Sequence, residues 1–133
     1  LGTFGTHIVA ELSLCEHIFE FDDTTALEEM MLGIITEVGL HHVGHFTHKF
    51  DPHGISCTII LQESHLATHI FPEVGYAALD VYTCGEQNEP LTEEAVRLFA
   101  EKMGAKAIHS YNINRGLPME NNPGVYTLSA MIQ

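Results

Sequence analysis

Residues 41–62, HHVGHFTHKFDPHGISCTIILQ, hold two extended-looking runs on either side of Asp51-Pro52-His53-Gly54. Proline presets its own φ, and glycine reaches backbone angles closed to other residues. A Pro-x-Gly step between two apolar runs therefore reads as the turn of a β-hairpin. The hairpin pairs a strand at 41–50 with a strand at 55–62.

Outward from the hairpin, residues 7–14 (HIVAELSL) alternate as a strand. Asp23-Thr24-Thr25 then offers caps for a helix over ALEEMMLGIITEVG, where Leu27, Met30, Met31, Ile34, Ile35 and Val38 recur at helical spacing and Gly39 stops the run. On the other side a strand begins around Ser64, and Pro72 with Gly75 separates it from YAALDVYT at 76–83. Glu89-Pro90-Leu91-Thr92 leads into a second helix, EEAVRLFAEKMG, ended by Gly104, and AKAIHSYNI reads as the last strand. From Asn114 the chain reads as irregular, with 117–133 as a tail.

The order is β-α-β-β followed by β-β-α-β. It predicts an α+β fold: a two-layer α/β sandwich with a mainly antiparallel sheet and both helices on one face. Ile59, Leu61, Leu79 and Val81 have apolar neighbours, Ile60, Ala78 and Tyr82, on the opposite face. Strands apolar on both sides predict that the second face is covered by another copy, giving a homodimer.

A length of 133 residues suits one domain. Five Lys and Arg against eighteen Asp and Glu give a formal charge of −13, which argues against binding nucleic acid phosphates. The field would favour cations such as amines or sulfonium compounds, though solubility or habitat explains such a charge as well. No apolar run approaches the ~18 residues of a membrane span, so no membrane partner is expected. Residues 1–20 lack the basic and apolar regions of a signal peptide. Cys15, Cys57 and Cys84 form no CxxC pair, which predicts free thiols and a cytoplasmic setting. His41, His42, His45, His48 and His53 crowd the hairpin, yet alternation sends them to both faces, so no metal site is expected there.

Ser64 and His69 alone say little. An offset of five along a strand puts two side chains on opposite faces unless a bulge intervenes, and no GxSxG elbow is present. A longer block changes the reading: Glu63-Ser64-His65-Leu66, His69, Phe71-Pro72-Glu73, Gly75-Tyr76-Ala77 and Thr83-Cys84-Gly85. With Gly5–Leu12 upstream, His48-Lys49-Phe50 and Pro52, Gly54 and Ser56 in the hairpin, and Arg115-Gly116 downstream, residues 5–116 resemble the prokaryotic S-adenosylmethionine decarboxylase proenzymes. Cys57 stands where glycine is usual, and Ala67-Thr68 replaces a more usual Thr-Ile pair.

The resemblance implies a chain that cuts itself between Glu63 and Ser64 into 1–63 and 64–133 and converts Ser64 into a pyruvoyl cofactor. It implies His69 as the base in processing, with Ser56 assisting, and Cys84 as the proton donor in turnover. The pyruvoyl group would act as an electron sink through a Schiff base with the substrate amine. Phe50 and Phe71 match positions that stack adenine, and Glu73 matches the carboxylate that binds ribose. The implied function is decarboxylation of S-adenosylmethionine to the aminopropyl donor of spermidine synthesis. A pyruvoyl decarboxylase of ornithine or arginine, and an unprocessed homologue that binds and regulates, are the alternatives.

Overall fold

The computed structural model describes residues 4–85 and 88–116. Six strands form one antiparallel sheet: β1 (Gly5–Ser13), β2 (His42–Lys49), β3 (Ile55–Leu61), β4 (Ser64–Phe71), β5 (Tyr76–Cys84) and β6 (Ala107–Arg115). Their order across the sheet is β2-β3-β4-β5-β1-β6. Helices α1 (Thr24–Val38) and α2 (Glu89–Met103) pack together and against one face, giving the expected two-layer α+β architecture.

Local chemistry sets these elements. The Asp23 carboxylate accepts from the Ala26 N–H at 2.9 Å and caps α1. The helix ends at Gly39, whose φ of 89° lies in the left-handed region that glycine enters without the steric cost of a Cβ. The predicted hairpin turn is present, with Phe50 N–H bonded to Gly54 O at 2.8 Å. A second, tighter hairpin follows, in which Leu61 pairs with Ser64 across only Gln62 and Glu63.

Strands β1, β3, β4 and β5 alternate between buried and more open positions. Leu66, Thr68 and Ile70 of β4, with Ala77, Leu79, Val81 and Thr83 of β5, are buried beneath the helices. Phe99, Leu27, Met31 and Ile34 fill the space from the helix side. Burying each large aliphatic side chain contributes about 1.5–3 kcal/mol, so this layer dominates stability. The other face carries His7, Val9 and Glu11 of β1, Ser56 and Ile60 of β3, His65, His69 and Phe71 of β4, and Tyr76, Asp80 and Tyr82 of β5. No helix covers it.

Two boundaries differ from expectation. Helix α2 starts at Glu89, because Pro90 fits a first helical turn, where its missing N–H costs nothing. Strand β6 continues past Asn114 to Arg115, because both residues still pair, with Thr6 and Gly5. The rest of the expected tail, 117–133, lies outside the described residues. Among the described residues no helix is long and apolar enough to cross a membrane.

Candidate active site

Ser64 is the first residue of β4 and sits half-buried directly after the Gln62-Glu63 turn. It lines a cavity of about 290 Å³ whose walls include Gly39, His41, Glu63, Cys84, Gly85 and Asn88. Cys84 ends β5 on the strand beside it, and its thiol donates to the Glu63 carbonyl oxygen at 2.8 Å. The carbonyl that precedes Ser64 is therefore already polarised by a proton donor. A serine hydroxyl next to such a carbonyl is the donor–acceptor set that an N-to-O acyl shift requires. Of the three cysteines, Cys84 is the accessible one. Burial pushes the Cys15 and Cys57 thiols above their ordinary pKa.

His69 lies elsewhere. It is five residues along β4 from Ser64, about 17 Å at roughly 3.4 Å per residue, and on the opposite face. There it pairs across the ladder with Ser56, and the Ser56 Oγ and His69 Nδ1 are 2.6 Å apart. This pair and the rings of Phe50 and Phe71 line a second cavity of about 310 Å³. Phe50 is 48% and Phe71 44% exposed, so both rings are open to a ligand in the cavity. Phe71 is backed by a stacked Tyr76, ring centroids 5.5 Å apart. The Tyr76 hydroxyl donates to Glu11 at 2.6 Å, and that bond to a carboxylate pushes its pKa up to about 12, so the ring stays neutral and pinned. Glu73 sits in the short 3-10 turn Pro72–Val74 that follows Phe71, exposed and outside the walls of this cavity.

One chain thus brings Glu63, Ser64 and Cys84 together at one end of the sheet. It brings Ser56, His69, Phe50 and Phe71 together at the other. It does not join the two groups.

The hairpin histidines do not converge. His42 and His45 contact each other at 3.0 Å, His48 packs on Phe50, and His53 bonds Asp22 at 2.7 Å. A different set meets on the uncovered face: His7 and His65 both bond the same oxygen of Asp80. Two imidazoles and a carboxylate could hold a metal, but Arg115 donates to His7 Nδ1 at 2.8 Å. That fixes the proton on Nε2, the atom a metal would need, so the set is wired as a hydrogen-bond network.

Sequence reasoning missed Asn88. Its carboxamide lies in the wall of the Ser64 cavity and donates to the Cys84 carbonyl at 2.7 Å. Placed just before Glu-Pro, it reads from sequence only as a helix cap. The Ser56–His69 pairing had a usable signal, since a two-residue turn at Gln62-Glu63 fixes the register of β3 on β4.

Comparison with known proteins agrees with the geometry. Residues 6–116 match the family described as S-adenosylmethionine decarboxylase. The chain is 41% identical over 118 residues to an S-adenosylmethionine decarboxylase proenzyme of Moorella thermoacetica, covering 88% of this chain and 91% of that one. It is 36% identical over 128 residues to a proenzyme of the same description from Pyrococcus furiosus, covering 96% and 90%. Its fold is similar to the crystal structure of the adenosylmethionine decarboxylase from Aquifex aeolicus, with a TM-score of 0.79 and 28% identity over 90% of this chain and 97% of that one. On sequence match and fold alike, the chain belongs to the S-adenosylmethionine decarboxylase family.

Proposed function

We propose that this chain cleaves itself between Glu63 and Ser64, converts Ser64 to a pyruvoyl group, and then decarboxylates S-adenosylmethionine to the aminopropyl donor of polyamine synthesis. The observation that carries the reading is the Cys84 thiol on the Glu63 carbonyl, beside the Ser64 hydroxyl and at the edge of a cavity. In processing, Ser64 Oγ attacks the Glu63 carbonyl carbon and the peptide bond becomes an ester, with the thiol stabilising the oxygen that gains charge. A base then removes the Cα proton of residue 64, and the Glu63 carboxylate leaves; the dehydroalanine so formed tautomerises to an imine, which water hydrolyses to the pyruvoyl group with release of ammonia. His69 of a second copy supplies that base, its ring held by Ser56. The residues fit the cofactor: a half-buried serine at a strand start, with room in front of it. When formed, the pyruvoyl group supplies the electron sink for decarboxylation. Cys84 remains beside it to deliver a proton to carbon.

The separation of Ser64 from His69 supports a homodimer whose sites are shared. Two uncovered sheet faces stacked about 10 Å apart, with their strands reversed, set the Ser64 end of one copy against the His69 end of the other. Phe46 and Tyr111, exposed on that face, would then become buried. Phe50 and Phe71 supply flat walls for adenine, and Glu73, on the turn just after Phe71, is the carboxylate assigned to the ribose. The relatives reported above give no support to ornithine or arginine as substrate, or to a non-catalytic role.

The test is carbon dioxide release from mature protein offered S-adenosylmethionine, ornithine or arginine. Release from the first is expected. Release from an amino acid alone would overturn the substrate and leave the cleavage chemistry standing.

A further inference from the structure

We infer that Asn88 is a positioning residue for Cys84, holding the backbone of the strand end so that the thiol points at residues 63 and 64. The inference rests on the function proposed above.

Asn88 occupies the N-cap position of α2, where asparagine ordinarily turns its side chain to the first free N–H groups of the helix. Here the side chain makes no capping hydrogen bond. Its carboxamide reaches back and donates to the Cys84 carbonyl at 2.7 Å. A good cap residue has given up the capping bond for a bond to the cysteine.

The rest of the surroundings serve the same end. The Asn88 N–H bonds Gly85 O at 3.1 Å, and the Gly85 N–H bonds Phe4 O at 2.8 Å. The Asn88 carbonyl accepts from the buried Thr92 hydroxyl at 3.1 Å, and the buried Thr83 hydroxyl bonds Thr92 in turn. Asn88 is therefore fixed from behind by two threonines and grips Cys84 from in front. With the carbonyl of Cys84 held, its Cα–Cβ bond is fixed, and from it the thiol reaches the Glu63 oxygen at 2.8 Å. Misplacement of a reacting group by about 1 Å costs up to roughly a hundredfold in rate.

Asn88→Asp separates positioning from capping. Aspartate has the same shape, caps equally well and suits a helix N-terminus, yet it cannot donate to a carbonyl. The first readout needs no cofactor: the rate at which freshly made precursor splits, followed on a denaturing gel. Asn88→Asp should split about ten-fold more slowly. Its mature fraction should show a lower kcat at unchanged KM, and fewer turnovers before the pyruvoyl group is lost to protonation at the wrong atom.

The melting temperature of uncleavable Ser64→Ala precursor, with and without Asn88→Asp, should be unchanged or higher. A lower melting temperature with splitting slowed in proportion would overturn the inference in favour of simple helix stabilisation. Wild-type splitting and turnover in Asn88→Asp would overturn it directly. The double variant with Cys84→Ala should be no worse than Cys84→Ala alone, and additive losses would also reject it. If Cys84→Ala itself splits and turns over normally, the functional reading of Cys84 fails, whatever Asn88 does.

Discussion

The two ends of the sheet are built on different plans. At the Ser64 end every proposed reacting group sits where a strand begins or stops: Ser64 opens β4, Glu63 belongs to a turn, and Cys84 closes β5. At the other end, Ser56, His69 and Phe71 lie within or at the close of laddered strands, beside the Phe50 that follows β2. Strand ends leave backbone carbonyls free of the ladder, which suits a site that must break its own peptide bond. Ladder positions fix side chains at set spacing, which suits a base and a flat binding slot.

The comparison breaks most sharply at Ser64. Ser64→Ala should abolish cleavage entirely, so that denaturing gels show one full-length band after prolonged incubation. Partial cleavage in that variant would mean that a different hydroxyl attacks, and the division of labour between the ends would fall.

A mixing experiment sharpens the comparison by asking whether the two ends serve each other across copies. Ser64→Ala and His69→Ala chains, each inactive alone, should recover about a quarter of wild-type sites when coexpressed. That figure follows from random pairing of two-fold dimers, half of them mixed and each with one intact site. No recovery would place both groups in one chain's site and contradict the 17 Å or so that separates them.

Phe71→Ala tests the aromatic slot alone. It should raise KM for S-adenosylmethionine by the equivalent of about 1–3 kcal/mol, the value of one base-stacking contact, and leave self-cleavage intact. Equal KM in variant and wild type would remove Phe71 from the binding site.

The smallest effect concerns what anchors the second end. Asp22, 8% exposed, takes the Gly54 N–H at 3.0 Å, His53 at 2.7 Å and Lys49 at 3.3 Å, tying the β2–β3 turn to the start of α1. Burial pushes its carboxyl up, but these three partners together pull it below the ordinary range. A depressed folded pKa means stability that is complete above the unfolded value near 4 and lost as pH falls through the folded value. Asp22→Asn should cost about 1–2 kcal/mol at pH 7 by denaturant unfolding, with the gap to wild type closing below about pH 4. A gap that persists unchanged into acid would show that charge plays no part.

The fold was legible because its signals are local. Alternation marked the strand at 7–14, the DPHG turn marked the hairpin, and Asp23 with Gly39 bounded α1, all within windows shorter than twenty residues. Ser64, His69 and Cys84 were legible as a set only through resemblance, since an offset of five offers no reason to join Ser64 to His69. That offset did predict opposite faces, and opposite faces are what the strand shows. Asn88 stayed hidden because its choice between a helix N–H and a strand carbonyl depends on where β5 ends against α2, a tertiary fact. The His7–Asp80–His65 network was equally out of reach, since its members come from three strands brought together only by the crossover that places β1 beside β5.

The strand order has a consequence for the two pieces that scission at Glu63-Ser64 would produce. Read across the sheet β2-β3-β4-β5-β1-β6, the pieces alternate, because the first contributes β1, β2 and β3 and the second contributes β4, β5 and β6. Strand β1 is threaded between two strands of the other piece, bonded to β5 on one side and β6 on the other, while β3 holds β4. To part, the pieces must tear three ladders at once and open the layer beneath both helices. Dilution therefore does not separate them, and a chain that has cut its own backbone still unfolds as one body.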